Sequence, residues 1–178
     1  MTQAAEIVTF WREAGIKRWF AQDEAFDAEI RRRFEATHFA AARRAHEDWL
    51  EDPQGALALL LLLDQFPRNL FRGSAHAWAT DPLALQYAAP ALAAGHDQTF
   101  DPLLRGFFYL PWEHSEVAAD QARSVELFRA LGDATYLEYA IEHEKVIARF
   151  GRFPHRNRAL GRESTPEEQA WLDAGGGF

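Results

Sequence analysis

Apolar residues recur at three- and four-residue steps along almost the whole chain, and no stretch alternates convincingly. The pattern therefore predicts helices and no strands. Residues 4–14 read as a short opening helix. Residues 24–49 read as one long helix or a broken pair behind Asp23, stopped by Asp52-Pro53-Gln54-Gly55. Residues 56–66 are apolar on nearly every side, the mark of a helix buried all round. Pro67 lacks an N–H and restricts Phe66, so it is expected to interrupt that helix.

Capping chemistry divides the rest. Asp81-Pro82 starts a helix with a capping acid and Pro at the first helical position, and Gly95 ends it. Asp101-Pro102 repeats the device. Ser115 is read as the N-cap of a helix reaching Leu131, which Gly132 stops. Asp133 caps the next helix, which runs to Phe150 and ends at Gly151. Residues 154–160 predict a short helix ended by Gly161, and Thr165-Pro166-Glu167-Glu168 is a capping box for a last helix through Leu172. Short links imply antiparallel neighbours in a single all-helical domain over residues 1–174, followed by a mobile tail, 175–178.

Composition narrows the classes. With 178 residues, 48% of them hydrophobic, the chain builds a real core. The absence of cysteine excludes disulfides, thiolate catalysis and cysteine-held metals. The first residues lack a signal peptide's basic start and apolar stretch. The longest apolar run, residues 56–63, falls far short of the ~18 residues that span a bilayer. A cytoplasmic protein with no membrane partner is expected. A net charge of −8 argues against nucleic acid, whose phosphates need a positive face.

Against that acidic background, residues 149–162, RFGRFPHRNRALGR, carry five arginines, one histidine and no acid. Guanidinium groups so crowded repel one another unless carboxylates or a bound anion face them. Gly151 and Pro154 turn the chain so that a helix starts near His155. Its free N–H groups, with Arg152, His155 and Arg156 alongside, suit a phosphate or carboxylate. Asp64 poses the converse problem, sharing a face with Leu57, Leu60 and Leu61 in a helix with no polar side. A buried carboxylate needs a partner; Arg68, Arg152 and Arg156 are the candidates.

Glu113 and His114 crowd a helix start in PWEHSE, where a histidine between carboxylates could act as an acid–base group. His143 edges an apolar arc with Tyr136, Ala140 and Ile147 and reads as a satisfied core histidine. His143-Glu144-Lys145-Val146-Ile147 opens like a zincin helix but has Ile where the second His is required. Glu35-Ala36-Thr37-His38 supplies one half of a carboxylate-bridged di-iron motif whose other half is missing. No bound metal and no cofactor are expected. GxxxxGK[ST], GxGxxG and GxSxG are all absent.

LALLLLLDQFPRNLFRGSAHAWATDPLAL, FFYLPWEHSE, IARFGRFPHRNRALGRESTPEE and AFDAEIRRRF resemble the hallmark blocks of an uncharacterised bacterial family, a domain of unknown function (number nine-two-four) in the tetratricopeptide-like helical superfamily. Trp112 and Ala77-Trp78 depart from the usual pattern as packing changes. The resemblance implies a right-handed superhelix of antiparallel helical hairpins and assigns no activity. Its motif positions fall on Asp64, Gln65, Arg68, Asn69, Arg72, Glu113, His114, Glu116, His143, Arg149, Arg152, His155, Arg156 and Asn157.

Three readings follow. In the first, these residues converge on a polar pocket that binds or acts on a small anionic ligand, with His114 or His155 as acid–base and the arginines as clamp. In the second, the protein is a scaffold whose groove binds a peptide or protein partner. In the third, arginines and acids form an internal latch.

Overall fold

The structure, a computed structural model that describes residues 3–178, is built from helices, and no strand occurs among the described residues. Among them, no helix is long and apolar enough to cross a membrane. The chain divides into two compact units, residues 3–72 with 76–111, and residues 73–75 with 112–178.

In the first unit α1 (Ala4–Ala14) leads through the short α2 (Ile16–Trp19) to α3 (Glu24–Ala42). Asp23 caps α3 by accepting from the Phe26 N–H at 3.0 Å. Arg44 takes a left-handed conformation just beyond, so residues 24–49 resolve into α3 and a 3-10 turn, Glu47–Glu51. Asp52 then caps α4 (Pro53–Leu60). Rings hold the unit together: Trp11 stacks on Trp19 at 5.9 Å and 10°, Phe10 stacks on Phe26 at 5.4 Å, and Phe66 packs beside Phe34.

Pro67 does not interrupt the buried helix. α4 widens into a π-helical turn, Leu61–Gln65, in which Phe66 N–H reaches back five residues to Leu61 O, and α5 (Phe66–Leu70) continues through Pro67. The widened turn and the proline free backbone carbonyls that side chains take up. His38 Nδ1 donates to Leu62 O at 2.8 Å, Thr80 Oγ1 to Leu63 O at 2.5 Å, and Arg68 to Asp64 O. Buried carbonyls left without donors would each cost on the order of 1–3 kcal/mol.

α6 (Asp81–Ala93) and α7 (Pro102–Glu113) follow, the latter capped by Asp101, which accepts from Leu103 N and Leu104 N. Asp81 is not a cap. It is the first residue of α6, its carboxylate turned to Arg68.

In the second unit α8 (Ala118–Leu131) and α9 (Ala134–Phe150) form a hairpin, Gly132 taking a left-handed turn and Asp133 capping α9. α8 starts three residues later than Ser115. Ser115 Oγ instead bonds Val117 N and Asp120, while the fully buried Gln121 donates to Glu113 O at 2.6 Å and Ser115 O at 2.7 Å. The predicted helix over residues 154–160 is only a 3-10 turn, Pro154–Arg156, followed by turns whose backbone bonds, such as Leu160 N–H to Arg156 O and Arg162 N–H to Asn157 O, do not repeat at one helical spacing. The capping box at Thr165–Glu168 forms and opens α10 (Pro166–Asp173). Val146, Ile147 and Phe153 make a core against which Phe150 and Trp171 pack.

Candidate functional site

In the first unit the polar motif residues pair with acids. Asp64, 1% exposed, accepts from Gln65 Nε2 and lies 3.5 Å from Arg68. Arg68 also grips Asp81 through two hydrogen bonds of 3.0 Å. One planar fork thus serves two carboxylates. Asn69 and Arg72 share Asp27, at 2.8 Å from Asn69 Nδ2 and at 2.5 and 3.0 Å from the Arg72 guanidinium.

Beside them, the fully buried His38 brings Nε2 to 3.3 Å from His76 Nε2. Since its Nδ1 donates to Leu62 O, its Nε2 accepts and His76 donates. Burial lowers the pKa of His38.

The arginine segment divides by function in the second unit. Arg152 chelates Glu168 at 2.7 and 2.8 Å, and Asn157 Nδ2 and Thr165 N–H converge on the same carboxylate. The Arg152 bonds, ahead of the cost of burial, hold Glu168 down at about 2. Arg162 chelates Glu116 at 2.8 and 3.0 Å and donates to Phe153 O, while Glu116 accepts from Phe153 N–H. Arg149 meets Glu167 with both side chains exposed, an arrangement that contributes little.

Of the segment's arginines, Arg156 is the buried one. It is 6% exposed, its guanidinium carbon stands 4.5 Å above the Phe153 ring, and it donates to His114 O at 3.1 Å. The charges of His114, His155 and Arg156 all act on the imidazole of His143. The His143 and His114 rings are 6.2 Å apart, and Phe153 lies 5.5 Å from His143 and 5.7 Å from His155. His143 Nδ1 donates to Tyr139 O at 2.8 Å and lies 3.5 Å from Glu113 Oε1, which leaves Nε2 as an acceptor. Burial, then the nearby His114, pushes His143 down to about 3, with Arg156 and His155 adding to the effect. It is a neutral base at physiological pH. Phe178 stacks on this ring, centroids 3.6 Å apart and planes 17° from parallel.

The second unit thus brings together Glu113, His114, His143, His155 and Arg156, with Arg152 and Asn157 in a separate ion-pair network. The first unit brings Asp64 to Arg68, and Asn69 to Arg72. Asp27, Asp81, Glu168 and Arg162 were missed as partners. Asp27 could have been found: it stands three and seven residues before Ile30 and Phe34, on the apolar face of α3. Among the described residues, no group of three histidines or acids is placed to hold a metal ion.

Residues 7–176 match a family described as "Bacterial protein of unknown function (DUF924)". A solved structure from Agrobacterium tumefaciens, titled a protein of unknown function, ATU0120, is 53% identical. It covers 96% of this chain and 97% of its own, with a TM-score of 0.93. A search of curated proteins found no match.

Proposed function

The chain belongs to this bacterial family of unknown function, and on that premise we propose that it binds a small anionic ligand at the Arg156 cluster. The observation that carries this reading is a guanidinium 6% exposed that lies over Phe153, a ring that also packs against His143 and His155. Three other arginines of the segment hold Glu167, Glu168 and Glu116, so the latch reading accounts for Arg149, Arg152 and Arg162. Arg156 lies over the Phe153 ring and donates to His114 O, with His114 and His155 as the groups to carry protons to or from a ligand. Two acids lie nearby: Glu113 stands beside His143, and Glu116, engaged by Arg162, also feels the charge of Arg156.

The hairpin of α8 and α9 is the element of the second unit that supports a tetratricopeptide-like reading. Under the ligand reading the hairpins serve as a frame for the cluster rather than as a peptide groove.

The test is thermal melting of wild type and Arg156→Gln, with and without phosphate at constant ionic strength. Phosphate at ten times its dissociation constant stabilises a single-site binder by about 1.4 kcal/mol, a rise of roughly 3–5 °C. The rise is expected in the wild type and not in Arg156→Gln. Equal responses in both proteins would sink the reading.

A further inference from the structure

Residues 175–178, Gly-Gly-Gly-Phe, lay an aromatic ring over His143. The two rings lie 3.6 Å apart, centroid to centroid, and 17° from parallel, so one face of the imidazole is covered. Phe153 and His155 meet Phe178 edge-on, at 6.1 Å and 88° and at 5.9 Å and 82°. Burial across the stack is uneven. Phe178 is 52% exposed and His143 only 6%, so the phenyl ring is the outer layer between the imidazole and solvent.

The segment has a fixed end and a permissive joint. Trp171 packs on Phe150 at 5.6 Å and so is tied to the core of Val146, Ile147 and Phe153. Gly175 N–H and Gly176 N–H bond back to Leu172 O and Trp171 O, each at 2.9 Å, which anchors the segment at the end of α10. Gly177 follows at φ +138, a conformation open to glycine and rare for other residues. Past that joint, ring contacts hold Phe178. Each such pair is favourable but weak on its own. Glycine regains more backbone freedom on release than any other residue. A half-exposed ring on a glycine joint belongs to the low-stability end of a folded protein, from which lids are drawn.

We propose that residues 175–178 form a strap, hinged at Gly177, whose docked state shields the imidazole of His143 and whose release opens that face to solvent and small reagents. The strap is independent of the anion reading, since it needs neither Arg156 nor a bound anion. What it guards is a neutral base: burial, then the nearby His114, keeps His143 uncharged. Nδ1 is engaged by Tyr139 O, so Nε2 carries the lone pair that a reagent would reach.

Diethylpyrocarbonate, which acylates neutral imidazole nitrogen, tests the strap at neutral pH on wild type, Phe178→Ala and Gly177→Ala. Peptide mass spectrometry reads the rate at each histidine. Phe178→Ala removes the cover, and Gly177→Ala strains the joint while keeping the phenyl group. Both are expected to react at His143 about tenfold faster than wild type or more, as when an open state rises from a minor population to the whole. The fully buried His38 is the control and is expected to keep its rate. Proton spectra give a second readout. The ring-current shift that Phe178 imposes on the His143 ring is expected to fade on warming, well below the melting temperature of the wild type. A shift that persists up to the global transition makes Phe178 a fixed part of the core and overturns the strap. An unchanged His143 rate in both variants overturns it as well, and so does a rise shared by His38, which reports general loosening.

Discussion

Arg152 and Glu168 meet through two parallel charge-assisted hydrogen bonds of 2.7 and 2.8 Å, and Glu168 is 3% exposed. The same carboxylate closes the capping box of α10 by accepting from Thr165 N–H. One buried acid therefore ties the arginine segment to the last helix.

Removing that acid should be costly. Glu168→Gln leaves Arg152 facing a neutral amide and weakens the box, so a loss of about 3 kcal/mol is expected in urea unfolding. The pH dependence follows from the direction of the shift, 4.5 down to about 2. The contribution is complete above pH 4.5 and is lost as pH falls through that window toward 2. Glu168→Gln should flatten the wild-type curve there.

Arg68 serves both Asp64 and Asp81, so its removal orphans two carboxylates at once. Arg68→Met is expected to cost about 4 kcal/mol. Asp64→Asn should then cost much less in the Arg68→Met background than in the wild type. A double-mutant cycle with no coupling would show that the pair contributes independently.

Thr80→Val tests the π-helical turn. Valine keeps the shape but removes the donor to Leu63 O. The expected cost is about 1–3 kcal/mol, the price of an unsatisfied buried carbonyl. A neutral Thr80→Val, measured by chemical denaturation, would mean that the carbonyl finds another partner.

His143 predicts sensitivity to acid. Its pKa is depressed from 6.5 to about 3, so the folded state resists a proton that the unfolded chain accepts. Stability is complete above pH 6.5 and falls by up to about 1.4 kcal/mol per pH unit between 6.5 and 3. The groups that face it include His114, His155 and Arg156, all of which oppose its charging, and Glu113 and Tyr139 O, which favour it. The lowered His38 acts in the same direction. His143→Phe should reduce the slope between pH 7 and 5, and an unchanged slope would assign it elsewhere.

Much of this fold was legible as caps. Asp23, Asp101, Asp133 and the Thr165–Glu168 box act locally, and each forms where the sequence places it, whereas Asp52, read as part of a break, caps a helix that already starts at Pro53. Pro67 was misjudged because its effect depends on the π-helical turn and on donors from His38 and Thr80, far away in the chain. The excess of arginine was legible, but its division was not. Glu116 and Glu168 lie in segments that also carry good local explanations, a first helical turn and a capping box, so nothing local marks them as partners for Arg162 and Arg152. The stacking of Phe178 on His143 was likewise hidden, since three glycines before an aromatic read as a loose tail.

The central claim, an anion site at Arg156, is tested most directly by imidazole resonances. Seven histidines provide their own control, since His38, His46, His76 and His96 lie in the first unit and His114, His143 and His155 in the second. With ring signals assigned, phosphate is titrated at constant pH and ionic strength. The account predicts saturable shifts at His114, His143 and His155, none at the other four, and loss of the response in Arg156→Gln. Uniform drift of all seven, or no shift in the second unit at saturating phosphate, would contradict it.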